Sequence, residues 1–199
     1  IDRDPKGSID ATFKLAEKHN KPIDYHLHEF GELGAFDLEL IIEKTIASGM
    51  QGRVAISHAF CLGMDNQKVV QSLLEKIEKA NIHVVTCAIT ASPTLPPLRP
   101  MMERGINIVG GNDSVRNMWS PYGTGDMLER MQFIAMKYNY ARDEDLELTM
   151  PVCTYNGAKI MELDNYGIDE GCKANFVLVK GRNIAECIVT CPTDRIVFR

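Results

Sequence analysis

No stretch of this chain approaches the roughly 18 consecutive apolar residues that a membrane span requires. There is no cluster of lysine and arginine, and the formal net charge is -5 over 199 residues. Such a surface is not built to track a phosphate backbone, which argues against a nucleic-acid polymer as partner. No Cys-x-x-Cys pair occurs. Cys61, Cys87, Cys153, Cys172, Cys187 and Cys191 are scattered singly, a usage that points to reduced thiols in a cytoplasmic protein rather than to a disulfide scaffold. No Gly-x-Gly-x-x-Gly follows a hydrophobic run, so the dinucleotide fingerprint is missing. Signal-like and transit-like segments are missing too. The chain opens on Ile1 without an initiator methionine, and we read this as a cut end within a longer protein.

What is present is ordinary globular composition, 45% hydrophobic and 25% charged, enough for one good core or for one domain and part of another. Ser8 reads as an N-cap for a helix carrying Ile9, Phe13 and Ala16, and Pro22 stops it. Short apolar runs then alternate with helical stripes. The runs are Ile23 to His26, Arg53 to His58, Ile82 to Cys87 and Ile106 to Gly111. The stripes are Leu38, Ile41, Ile42, Thr45 and Ile46, then Val69, Val70, Leu73, Leu74 and Ile77, then a helix around Met127 to Tyr138. Strands alternating with helices call for a parallel sheet. Beyond a helix with Leu146, Leu148, Val152 and Ala158, the tail reads as short strands at 176–179, 187–190 and 196–198. These look like part of a separate β layer.

Four strand–helix units fit either a doubly wound sheet or half of a (β/α)8 barrel; a whole barrel needs about 250 residues. The chemistry favours the barrel, because polar groups collect where the apolar runs end. His26 and His28 alternate along one strand and so face the same way, and paired histidines on a strand are a zinc or iron layout. Glu29 adds a carboxyl able to move a proton; the ordinary alternative is a solvated loop acid. His58 follows Ser57 at the next ending, where a hydrogen-bonded corner would also explain it. Asp113 follows Gly110-Gly111-Asn112, glycines that permit close backbone approach; alone it reads equally as a turn or cap residue. Trp119, the single tryptophan, sits in a Pro/Gly loop and suits either a pocket wall or a loop anchor. His19 and His83 are assigned structural places, at a helix C-terminus and within a strand.

Together Asp24-Tyr25-His26-Leu27-His28-Glu29, Ser57-His58, Asn112-Asp113, Trp119-Ser120-Pro121-Tyr122-Gly123 and Gly125-Asp126-Met127 resemble the amidohydrolase superfamily. The branch is that of cytosine deaminase and N-isopropylammelide isopropylaminohydrolase. The tail from Asn156-Gly157-Ala158-Lys159 to Gly171-Cys172-Lys173-Ala174-Asn175 is similar to the family's C-terminal pattern, with Asn175 where Asp is common. The resemblance implies strands five to eight of a (β/α)8 TIM barrel over residues 1–163, then part of a small composite β-sandwich over 164–199. It implies one divalent metal ion, zinc or iron, with His26 and Asp113 among its ligands. His58 would contact the attacking water, Glu29 would be the acid/base at the ring nitrogen, and Trp119 and Asp126 would frame the substrate. The strand-one His-x-His pair would lie in a missing part, leaving two of about four ligands here.

The implied activity is metal-dependent hydrolytic deamination of a six-membered, cytosine-like nitrogen heterocycle, releasing ammonia. Two alternatives stand beside it. One is hydrolysis of an N-alkyl ammelide, an s-triazine, with release of an alkylamine; the pocket near Phe60, Thr90, Pro93 and Trp119 would decide between them. The other is a non-catalytic barrel relative serving as a binding module. The expected partners are a small heterocycle and further copies of the chain in a homo-oligomer.

Overall fold

The computed structural model describes residues 3–88 and 92–199. Its elements follow in the order α1 (Pro5–His19), β1 (Ile23–Leu27), α2 (Gly31–Ala47), β2 (Val54–His58), α3 (Gln67–Lys79), β3 (His83–Thr86), α4 (Leu98–Glu103) and β4 (Ile108–Gly110). Then come α5 (Met127–Lys137), α6 (Asp143–Glu147), α7 (Thr149–Val152), α8 (Tyr155–Ile160), β5 (Val177–Val179), α9 (Ile184–Thr190) and β6 (Arg195–Val197). Two compact units result: residues 3–86 with 92–108, and residues 87–88 with 109–199.

The first unit realises the alternation read in the sequence. Its strands lie in one sheet in the order β1-β2-β3. The pairing is parallel from β1 to β2, with His26 beside Ser57 and Leu27 beside His58, and from β2 to β3. All five residues of β2 are buried, as expected of an inner parallel strand covered on its faces. Leu38, Ile41, Ile42 and Thr45 on α2 and Val70, Leu73, Leu74 and Ile77 on α3 are buried, whereas Ile46, at the end of its stripe, is exposed and Val69 half-buried. Asn66 caps α3 through its side chain, which accepts from the Val69 amide. The α1 cap is Asp4 rather than Ser8. Its carboxylate accepts from Gly7 N at 2.9 Å, and Pro5 opens the helix with the φ that proline already holds. Ser8 instead lies one turn inside, where its carbonyl accepts from the Thr12 hydroxyl. His19 closes α1. His83 opens β3, buried between the Gly52 carbonyl at 3.1 Å and Asn107 Nδ2 at 3.1 Å.

In the second unit two expectations give way. Residues 187–190 belong to α9, not to a strand. The β-branched run is overruled by Asn183, whose side chain accepts from Glu186 N at 2.8 Å, and by burial of Ala185 and Ile188 as α9 packs on α5 and α6. The helix expected through Leu146, Leu148, Val152 and Ala158 is broken into α6, α7 and α8. Pro151 cannot donate within a continuous helix, and Thr149 and Thr154 turn their hydroxyls back onto the carbonyls of Leu146 and Met150. The strands at 177–179 and 195–197 pair antiparallel as a two-stranded sheet, flanked by the stacked rings of Phe176 and Phe198 at 4.5 Å. All six cysteines are thiols. Among the described residues no helix is long and apolar enough to cross a membrane.

Candidate functional site

The C-terminal ends of β1 and β2 carry the first unit's chemistry. Along β1, Ile23 and Leu27 are buried while Asp24 and His26 are exposed, so the alternation places Asp24, His26 and then His28 on one side. Ser57, registered beside His26, donates its hydroxyl to Asp24 Oδ1 at 2.9 Å and ties the two strands together on that side.

By the same alternation His58, registered beside Leu27, belongs on the opposite face. Its backbone prevents this. His58 has φ 73 and Ala59 has φ 44, two consecutive left-handed residues without glycine. Such conformations are costly for side-chain-bearing residues and collect at functional sites. The turn brings the buried His58 ring to the two exposed histidines. Ring centroids lie 5.8 Å apart for His26 and His28, 5.0 Å for His26 and His58, and 4.4 Å for His28 and His58, with interplanar angles of 73°, 76° and 52°. Imidazole lone pairs lie in the ring plane, so inclined planes can aim them at a common point, whereas rings stacked in parallel planes could not.

One nitrogen from each ring lies within 4.8 Å of the others. Zinc–nitrogen bonds of about 2.0–2.1 Å place two donors of one ion at most roughly 4 Å apart, so small side-chain rotations suffice. Three imidazoles suit zinc, iron or another borderline divalent ion; the donor set fits the group that the sequence implied. Phe60 stacks beside this cluster, 6.1 Å from the His28 ring, and Phe30 stacks on Phe60 at 5.1 Å and 8°. Glu29 is half-buried and follows His28 directly. Its backbone is gripped by α2: a Cβ on Gly34 would stand 2.1 Å from the Glu29 carbonyl oxygen, so glycine is required there. Cys61 is not among the side chains gathered here; burial pushes its thiol up to about 12, with smaller contributions from Asp37 and Glu29.

The second unit holds the remaining residues singled out in the sequence. Asp113 follows β4 and is itself left-handed, with φ 56. A carboxylate oxygen of Asp113 lies within 4.8 Å of Cys87 Sγ. The Cys87 thiol is pushed up to about 12, first by burial and then by the charge of Asp113. Gly110 allows close approach at the end of β4, since a Cβ would stand 2.5 Å from Cys153 Sγ. Trp119 is 91% exposed, its loop fixed by Asn117 Oδ1, which accepts from the Trp119 amide at 2.9 Å. Asp126 caps α5 by accepting from Leu128 N and pairs with Arg195 at 2.7 Å. Pro93, which belongs to the first unit, is exposed, and Thr90 lies outside the described residues.

Two residues of these surroundings were not marked as site residues in the sequence. His28 was visible as half of a same-face pair, but only His26 carried an assignment. Arg130, buried beside Asn112, gave no signal, because an arginine four residues after an aspartate on a helix looks like a surface ion pair.

The pattern of the Amidohydrolase family matches residues 4–197. The chain is 33% identical over 175 residues to N-isopropylammelide isopropyl amidohydrolase of Pseudomonas sp. (strain ADP), covering 87% of this chain and 43% of that protein. The crystal structure of N-isopropylammelide isopropylaminohydrolase from Burkholderia multivorans superposes with a TM-score of 0.93 at 40% identity, covering 98% of this chain and 50% of that one. For 5-methylcytosine deaminase from Klebsiella pneumoniae, liganded with 5-fluorocytosine, the TM-score is 0.82 at 23% identity over 94% of this chain and 48% of that one, a likeness of fold alone. The chain thus spans about half the length of these relatives. A parallel α/β layout of the barrel type, histidines at its strand ends and a family pattern over nearly every residue lead to one conclusion: this chain belongs to the amidohydrolase family.

Proposed function

We propose that the protein hydrolyses an exocyclic C–N bond on a six-membered nitrogen heterocycle. The observation that carries this reading is the convergence of His26, His28 and His58 at the ends of two adjacent parallel strands, the place where barrel enzymes keep their chemistry. In this reading β1 to β4 stand as barrel strands five to eight within 1–163, and 164–199 is part of a composite β-sandwich. His26 and Asp113 hold one divalent ion, zinc or iron. When bound, the ion supplies the Lewis acidity that makes water a nucleophile at neutral pH.

The chain's own groups divide the proton work. Asp113 accepts a proton from the attacking water and aligns it. The His58 ring donates a hydrogen bond to the oxygen as charge develops there. Glu29 gives a proton to the ring nitrogen, which makes the ring carbon electrophilic. As the C–O bond forms and the exocyclic C–N bond breaks, the proton held by Asp113 leaves with the amine, and the second proton of the water returns to Glu29 as the carbonyl forms. The flat stack of Phe60 on Phe30 offers a wall for a planar ring, and Trp119 frames the substrate on the neighbouring loop.

Two leaving groups fit this chemistry: ammonia from a cytosine-like ring, or an alkylamine from an N-alkyl ammelide. Likeness to two isopropylammelide enzymes, at 33% and 40% identity, favours the alkylamine. A panel of cytosine, isocytosine and N-alkyl ammelides, assayed for ammonia and alkylamine with the zinc-loaded full-length protein, tests it. Release of amine from one ring class supports the proposal; hydrolysis of none of them overturns it.

A further inference from the structure

Arg130 places a full positive charge inside the second unit, 6% exposed, and the chemistry above makes no use of it. It stands on the first turn of α5 and reaches two strand ends at once. Its Nη1 donates to the carbonyl oxygen of Cys87, just past β3, at 2.6 Å. Its Nε donates to Asn112 Oδ1, just past β4, at 3.0 Å. The Phe133 ring lies 5.2 Å from its Cζ. A buried guanidinium is costly unless its donors are met, and spanning two separate acceptors uses the rigid fork that lysine lacks.

Asn112 is held from its other end as well. Its Nδ2 donates to the Gly125 carbonyl at 3.3 Å and lies 3.4 Å from Met127 Sδ. Ser114 N donates to the Asn112 carbonyl at 2.6 Å. Asp113 sits between these anchors in its left-handed conformation, which persists only where the surroundings over-determine it.

We propose that Arg130 is a positioning residue for Asp113: by clamping Asn112 to the backbone beyond β3, it fixes the strand-end turn that presents the Asp113 carboxylate. The proposal rests on the reading of Asp113 as a metal ligand. Groups that orient a ligand from behind commonly change metal affinity by roughly 10–100-fold when lost.

The test measures zinc affinity of the full chain by competition with a chromophoric chelator, for wild type, D113N, R130Q, N112A and the R130Q/N112A double variant. R130Q and N112A are each expected to weaken zinc binding by about 10–100-fold, and the double variant no more than the worse single one, because both break the same chain of contacts. N112A alters only a partly exposed side chain and keeps the question answerable should R130Q fail to fold. If D113N loses zinc while R130Q and N112A bind it like wild type, or if the two losses add, the role of Arg130 is overturned and that of Asp113 stands. If D113N binds zinc like wild type, the ligand reading falls and this proposal with it.

Discussion

The imidazoles of His28 and His58 approach to 4.4 Å between ring centroids, although strand alternation and the register of β1 on β2 send them to opposite faces of the sheet. The reconciliation lies in the backbone, since His58 and Ala59 leave the strand in left-handed conformations. In the proposed reaction this imidazole hydrogen-bonds to the attacking oxygen. Replacing His58 with Gln is therefore expected to lower kcat on the preferred heterocycle, with KM changed far less and the far-ultraviolet circular dichroism unchanged. Unaltered kcat would make the turn a purely structural corner.

Glu29 is the acid/base of the proposed reaction. E29Q keeps the side chain's size and its hydrogen-bonding reach but cannot cycle a proton. Steady-state kinetics on the preferred heterocycle should show kcat reduced by roughly 10²–10⁴-fold, with KM changed far less. Near-normal turnover would remove Glu29 from this role.

Gly34 is a packing constraint acting on the same segment. G34A would drive a methyl group to 2.1 Å from the Glu29 carbonyl oxygen and to 2.8 Å from Cys61 Cβ. Neither neighbour is the end of a flexible side chain, so the backbone after β1 must move. Overpacking of this kind costs about 1–3 kcal/mol. Urea denaturation should report it, and catalysis should fall with it because Glu29 is displaced.

The pair between Asp126 and Arg195 makes an acid-sensitive contribution to stability. The Arg195 guanidinium holds the Asp126 carboxyl below the ordinary carboxylate range. A carboxyl lowered in the folded state stabilises above its unfolded pKa, and the benefit is lost as pH falls through the folded one. The pair is partly solvated, so its worth is at most about 1 kcal/mol. D126N retains the helix cap, because asparagine caps as well as aspartate, and removes only the charge. Thermal melts between pH 7 and pH 2 should show wild type more stable than D126N at neutral pH, with the difference closing on acidification. A difference independent of pH would contradict the assignment.

Much of the first unit was legible because its signals are local. Buried parallel strands must be apolar along their length, which marked 23–26, 53–58 and 106–110. Helices covering them must carry a stripe, which marked α2 and α3. Period-two alternation alone was enough to put His26 and His28 on one side. Elsewhere local signals competed and lost. Residues 187–190 look like a strand by propensity, but a cap three residues upstream and burial against α5 and α6 make them helical. Arg130 looks like half of a surface pair until packing buries it against Cys87 and Asn112.

The order of residues by itself determined the parallel alternation, the same-face histidine pair on β1 and the strand-end positions of Glu29, His58 and Asp113, because each follows from spacing along one element. Only the tertiary structure decided where the His58 ring points, which oxygens Arg130 joins and how closely α2 grips the Glu29 backbone. These depend on backbone reversals and on contacts between residues distant in the chain, whose energies come from packing and hydrogen bonding that no short stretch of sequence contains.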